Sequence, residues 1–437
     1  MEGESFFKLI VLIILGFAIV IAVLIFAGVL PGFGGSSGGE NNTVVMWGVV
    51  PPVIMNEVIG QLNNDNRDNF SVTYVAKNSS TIEDELVDAL ALGQAPDLIL
   101  AADSMTVSQR NKLYIIPYDS ISSRVFSDTF AEITEVYKTS VGLTALPLTI
   151  DPVVMYYNRD LYSNTGVASV PKTWTGFLEV LNRLTTKTDQ GVITTSGLAF
   201  GETNNVTNFK SILELLFLQA GNPLASPTAT GFRSVLADRL GFNTAPGPAA
   251  LDFYTAFSDP SKVTYSWNET LDSDRNMFAL GRLANYFGLT SELGQVRAQN
   301  PNLNIDAVVV PQREDVGRKT TTGDVLGVSI VRSTANLNTA FTVAWTLATG
   351  PYSAVLAQSL AVAPARRDLL NTPDTSNRFE AVFFESALAA RTWADPNSIA
   401  IRDIFSDMVG EINRRSNNAV GALSNADQKI NLLFSNL

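Results

Sequence analysis

Carboxylates are the groups this chain supplies most freely for chemistry. Asp272 and Asp274 stand two residues apart, and Glu83, Asp84 and Glu85 are consecutive. Paired carboxylates can hydrolyse a glycosidic bond, one as acid and the other as base or nucleophile. Both clusters fall at helix starts, where acidic side chains also suit the helix dipole, so a structural role accounts for them. Other chemistry is closed by composition. The 437 residues include no His and no Cys. That removes the commonest general base, the Ser-His-Asp triad, thiolate nucleophiles, disulfides and the usual transition-metal ligands. Asp, Glu, Lys, Tyr, Ser and Thr remain, and neither a cofactor nor a metal site is expected.

Thirty basic and 42 acidic residues give a formal charge of −12. The densest basic spots are the pairs Arg366-Arg367 and Arg414-Arg415. Neutralising nucleic-acid phosphates takes a basic patch, so no nucleic-acid partner is expected. Apolar residues make up 46%, enough for a sizeable core, and the length allows two domains or one large two-lobed body.

The elements that must position reactive groups begin after an apolar run. Leu9–Leu30 carries no charge over 22 residues. As a helix it would extend roughly 33 Å, enough to span a bilayer, and it exceeds the apolar stretch of a cleaved signal peptide. One uncleaved transmembrane helix is expected. Lys8 before it places residues 1–8 in the cytoplasm and the body outside. Residues 31–42, PGFGGSSGGENN, read as a flexible tether.

The body starts with strand, helix, strand, helix, strand. Val44–Trp47 is a short apolar strand, and Ile54, Val58 and Leu62 form a helix face. Phe70, Val72 and Tyr74 alternate. Ser80 and Glu83 suggest a capping box before Ile82, Leu86 and Leu90, and Asp97–Ala102 is a buried-type strand. This order implies α/β architecture with a largely parallel sheet. Two extended stretches follow, Ala145–Asp151 and Val153–Asn158. Helices are expected from Lys172–Trp174 onward, over Phe209–Ala220 and over four later stretches between Thr339 and Ile412. Strands are expected near Leu283, over Ile305–Val310 and over Val325–Val331.

Five motifs along this order carry a resemblance. They are Gly93-Gln94-Ala95-Pro96-Asp97, Leu146-Pro147 through Tyr156-Tyr157-Asn158-Arg159-Asp160-Leu161, Pro171-Lys172-Thr173-Trp174, Phe278-Ala279-Leu280-Gly281-Arg282-Leu283-Ala284, and Ala363-Pro364-Ala365-Arg366. Together they resemble the extracellular solute-binding proteins of sugar-type ABC importers, the family of the maltose-binding protein. The chain departs from that pattern in three places. Thr175 and Gly176 replace acidic residues, Leu289, Thr290 and Ser291 replace aromatic ones, and no lipid-bearing Cys is present.

The resemblance implies a two-lobed periplasmic-binding-protein-like fold with a ligand cleft between the lobes, preceded by the transmembrane helix. Lobe 1 would hold residues 43–150 and 312–363, and lobe 2 residues 152–310 and 366–437. Crossings would fall near Thr149–Val153, Val310–Gln312 and Ala363–Arg367. Ligands of open α/β sheets bind outside the carboxyl ends of strands. That rule nominates Trp47, whose indole could stack on a sugar ring, and Asp103 and Ser104 after the Leu98–Ala102 strand. Asn204 and Asn205 lie in a polar loop before the Phe209 helix. Family position adds Asp151 in the crossover, with Trp267, Thr290, Ser291 and Trp393. Trp174 is expected to pack a helix start. The function implied is capture of a sugar or similar polar solute by hinge closure, without catalysis, and delivery to ABC permease subunits by a monomer held at the cell membrane. A ligand sensor or adhesion module on the same fold is the alternative, and a carboxylate-based glycosidase a third.

Overall fold

Alternation in Thr43–Gly48 buries Val44 and Met46 and builds the first strand, β1. A computed structural model describes residues 43–229, 231–314, 317–374 and 376–437. The expected span at Leu9–Leu30 and the tether at 31–42 lie outside the described residues. Among the described residues, no helix is long and apolar enough to cross a membrane.

Helix α1 (Pro52–Asp65) begins on a proline, whose missing N–H is not needed in the first turn, and buries Met55, Val58, Ile59 and Leu62. β2 (Ser71–Ala76), α2 (Ile82–Ala91), β3 (Leu98–Ala102) and the short α3 (Asp103–Ser108) follow. β1 and β3 pair in parallel, with Trp47 opposite Ile99. The Ser80–Glu83 capping box does not form. Ser80 bonds to Asn78 instead, and the Glu83 carboxylate accepts hydrogen bonds from Ser108 and Gln109, tying α2 to the end of α3.

The two extended stretches around Asp151 are one continuous strand, β4 (Leu146–Asn158). Its partners change midway. Leu146–Pro152 pairs with Thr321–Ile330, and Val153–Tyr157 pairs with Leu283–Leu289. Pro152, which has no N–H for a ladder, sits at the changeover. Next come α4 (Trp174–Leu184), β5 (Ile193–Leu198), α5 (Phe209–Ala220), the hairpin β6 (Ala225–Pro227) and β7 (Phe232–Ser234), β8 (Leu283–Leu289), β9 (Ile305–Val308) and β10 (Thr321–Ile330). The chain continues through α6 (Leu337–Thr349), α7 (Tyr352–Leu360), β11 (Ala363–Pro364), α8 (Arg378–Ala389), β12 (Ala390–Arg391), α9 (Ser398–Asn413) and α10 (Ala419–Ser435). The main sheet runs β2-β1-β3-β10-β4-β8-β5.

Two large cores flank this sheet. β4 gives Leu146, Leu148 and Ile150 to one and Val153 to Tyr156 to the other. The first core also takes Val44, Leu98, Val325 and Ala344. The second takes Trp174, Phe217, Phe287 and Phe405. Two crossings fall later than expected. Gln312 still bonds to Lys172 and Trp174 of the second half, because the segment bridges alongside Thr173 instead of turning away. The chain passes over at the start of β10, where Thr321 and Thr322 pair with β12 and Gly323 faces Pro152. Gly323 is required there, since a Cβ would lie 2.6 Å from the Asp151 carbonyl oxygen. Ala363, Ala365 and Leu370 stay in the first core, and α8 straddles the boundary, with Phe379 and Phe383 in the second core and Ala387 in the first.

Candidate functional site between the two halves

Asp151 stands at the strand changeover. Its Oδ1 accepts hydrogen bonds from Thr290 Oγ1 at 2.7 Å and the Ser291 N–H at 3.1 Å. Those two residues open a single 3₁₀ turn after β8. Glu292 seats that turn by accepting from Tyr286 Oη, Asn208 Nδ2 and the Leu289 N–H. Burial raises the Asp151 pKa, and the Ser291 and Thr290 donors oppose the rise.

Directly opposite in register is Asp324 on β10. Its side chain is open to solvent, yet the protein around it pushes its pKa up to about 6, against the pull of Lys210 and with help from Asp151. Asp151 and Asp324 thus stand face to face across the β4–β10 ladder, and this sheet surface between the two cores is the floor of the candidate site. Further along, Asp103 is buried at the start of α3. Thr392 Oγ1 donates to its Oδ2 at 3.1 Å, and the Val325 N–H lies 3.5 Å from its Oδ1. Burial, followed by the Asp324 charge, raises the Asp103 pKa to about 7.

One cation anchors the second half of this floor. Lys210, in the first turn of α5, lies 2.8 Å from Glu214 and 2.9 Å from Asp395. Burial alone would lower its pKa, but the two carboxylates reverse the effect and fix the ammonium. Glu214 also accepts from Trp393 Nε1 at 2.8 Å. Trp393 and Thr392 also line a cavity of about 830 Å³. One wall comes from the first half (Thr106, Arg110, Thr144, Arg332) and the other from the second (Pro227, Phe232, Phe434). This size suits a small-molecule ligand, and a cleft between two bodies is a preferred place for one. Among the described residues, no group of three or more carboxylates converges closely enough to hold a metal ion.

The structure thus gathers Asp103, Asp151, Thr290, Ser291 and Trp393 along one boundary, with Ser104 half-exposed beside Asp103 in α3. The other nominees lie elsewhere. Trp47 shares its sheet face with Ile99, toward α2, and the Lys77 ammonium covers its ring at 3.8 Å from the centroid. Trp267 is fully buried in the second core and donates through Nε1 to Asn205. Asn205 spends its amide on the carbonyls of Asn268 and Leu271. Both therefore brace a loop, and Asn204 beside them is exposed. The carboxylate clusters are structural as well. Asp274 is buried and bonded to Thr207, and Glu85 pairs with Lys77. Trp174 packs as expected, stacked on Phe287 at 5.8 Å and bonded to Gln219.

Sequence reasoning missed Lys210, Glu214, Asp324, Thr392 and Asp395. A signal existed for three of them. Lys210 and Glu214 are four apart on one helix face, and Asp324 is the sole charge in an otherwise uncharged strand.

The raised Asp103 pKa gives a pH dependence. Between about pH 4 and 7 the folded protein keeps a proton that unfolded Asp103 has lost, so stability falls as pH rises through that window. Asp103→Asn cannot ionise. Relative to the parent it should gain on the order of 3 kcal/mol between pH 5 and pH 8. Urea melts at the two pH values measure this, and parallel shifts would disprove the assignment.

A family model described as bacterial extracellular solute-binding protein matches residues 57–381. The chain belongs to that family. Its fold is mixed α/β and matches two-lobed, maltose-binding-protein-like structures. A cyclo/maltodextrin-binding protein complexed with maltotetraose aligns with a TM-score of 0.73 at 16% identity, covering 90% of this chain and 98% of that one. The sugar-binding protein MalE of Xanthomonas citri gives the same figures. A Thermotoga lettingae solute-binding protein bound to α-D-tagatose aligns at a TM-score of 0.65 and 19% identity, covering 90% and 99%. A comparison with curated protein sequences finds no match.

Proposed function

We propose that this member of the family is a membrane-anchored, extracytoplasmic receptor that captures a carbohydrate or similar polyhydroxylated solute and passes it to an ABC importer. The observation that carries the reading is the Asp151–Asp324 pair, set in register where β4 and β10 join the two halves. Ionised carboxylates only accept hydrogen bonds, which suits a ligand rich in hydroxyl donors. Trp393, 4% exposed, lines the adjoining cavity and offers an apolar edge there for a sugar ring. Ligand contacts are assigned to Asp103, Ser104, Asp151, Ser291, Asp324 and Trp393, with the fully buried Thr290 holding the Asp151 carboxylate in place. The two halves close over the ligand about β4 and β10, and no bond is made or broken. The relatives' ligands (maltotetraose, maltotriose, mannotriose and tagatose) support a sugar, and the family's extracellular description supports a body outside the cytoplasm.

Leu9–Leu30 supplies the single-pass anchor in this reading, with residues 31–42 as tether and ABC permease subunits as partners. Two measurements test it. Thermal-shift screening against maltotriose, mannotriose, tagatose and neutral polyols should find a stabilising sugar, by preferential binding to the folded state. Full-length protein should fractionate with membranes and keep its N-terminus. Release as a species trimmed within residues 31–42 would contradict the anchor, and a screen with no stabilising sugar or polyol would contradict the ligand class.

A further inference from the structure

The acidic floor and the cavity beside it carry opposite charge. In a chain of net charge −12, the first-half wall of the cavity presents Arg110, Lys138 and Arg332 against one acid, Glu135. Lys138 is spoken for: it pairs with Glu135 at 2.7 Å and bonds to Ser127. Arg332 is held in place through its Nε, which donates to the Leu113 carbonyl at 3.3 Å, leaving the rest of its guanidinium edge unused. Among the described residues, neither Arg110 nor Arg332 has a carboxylate partner. Asp103 and Asp324 lie toward the other end of the β3–β10 pair and do not reach them, and Thr392, which lines the cavity, bonds to Asp103.

From this polarity we infer that the solute is an acidic oligosaccharide, a sugar chain bearing carboxylate groups of the uronate type. The inference rests on the sugar reading above. Hydroxyls at one end of the ligand donate to Asp151 and Asp324, and a carboxylate at the other end meets the guanidinium groups of Arg110 and Arg332. Guanidinium matches carboxylate in a two-point geometry, so it selects a charged group over a hydroxyl. A neutral sugar would leave both arginines without a counter-charge once the cleft closes. An anionic sugar bound the other way round would meet the Asp151–Asp324 pair, which fixes its orientation.

The test is calorimetry on the full-length protein in detergent with three matched pairs. Trimers of glucuronate, galacturonate and mannuronate are compared with the neutral glucose, galactose and mannose trimers. At least one uronate should bind tenfold or more tightly than its neutral twin, and the ratio should shrink in high salt because the guanidinium groups are part-exposed. Arg110→Gln with Arg332→Gln should bring the ratio toward one, and the double lysine variant should retain an intermediate ratio. Circular dichroism and melting confirm that the variants fold. Should the double variants not fold, Arg110→Gln and Arg332→Gln taken singly give the same readout, each lowering the ratio in part. Binding in which no uronate trimer exceeds its neutral twin overturns this inference and leaves the sugar reading standing. Preference that survives loss of both arginines also overturns it. Binding of none of the six, with no sugar found in the thermal screen, overturns the sugar reading itself.

Discussion

Replacing Lys210 with methionine is expected to destabilise the body by about 3–5 kcal/mol, the usual cost of stripping the partner from a buried ion pair. Lys210 is the only cation within ion-pair reach of Glu214 and Asp395 among the described residues, and both carboxylates are at most 8% exposed. Without it they must protonate or stay charged in a poorly solvated site. The loss should therefore be largest at pH 8 and smaller at pH 5, because burial raises the Glu214 pKa and a raised carboxyl pKa favours folding at low pH. Adding Glu214→Gln should recover part of the loss, since one unpaired charge is removed while a carbonyl remains for Trp393 Nε1. Urea melts of the single and double variants decide it. A loss under about 1 kcal/mol that does not depend on pH would mean the triad is well solvated.

The largest effect on binding is expected at Asp151. A hydrogen bond to a charged group contributes about 1.5–3 kcal/mol, so Asp151→Ala should weaken sugar binding roughly 10- to 150-fold. The structure adds a cost that the sequence did not suggest. Asp151 is also the acceptor for Thr290 Oγ1 and the Ser291 N–H, so the alanine variant leaves two donors without their partner. A stability loss of about 1–2 kcal/mol should accompany the affinity loss. Asp151→Asn keeps one acceptor oxygen and should lose less of both. Thr290→Val removes only the internal hydrogen bond and separates the two roles. Its affinity should fall far less than that of the alanine variant. If Asp151→Ala melts lower but binds sugar unchanged, Asp151 serves the turn alone.

How far the site could be read in advance depended on where each signal lay. Segments with strong periodicity were legible: Phe209–Ala220 is a helix over the expected residues, and Leu98–Ala102 is a buried strand. The crossover carboxylate and the Thr290–Ser291 pair were legible through motif order, although nothing in the sequence showed that they bond to each other across 139 residues. Trp47 and Trp267 failed for a common reason. Tryptophan serves a core or a ligand equally well, and only the strand face or the partner of its N–H decides which. Trp47 faces α2, and Trp267 donates to Asn205. Helix α10 was missed although Asn418 caps it, because three of the five residues on its buried face, Ala419, Ala422 and Ala426, are alanines that mark an apolar stripe only weakly. Asp324 was legible only as a lone charge in its strand, because its role comes from register with Asp151, a tertiary property that spacing does not encode. The second and third crossings were displaced because local motifs mark turns, whereas the passage between cores depends on which strand the segment joins.

Small-angle X-ray scattering on residues 43–437, alone and saturated with the sugar that calorimetry shows to bind most tightly, tests the central claim most directly. These residues hold both cores and form a compact unit from Val44 onward. If the ligand sits between the halves and they close over it about β4 and β10, the radius of gyration should fall on saturation. The Asp151→Ala protein should need correspondingly more sugar for the same compaction. An unchanged radius at full occupancy would contradict capture by closure and place the ligand in a rigid cleft or outside it.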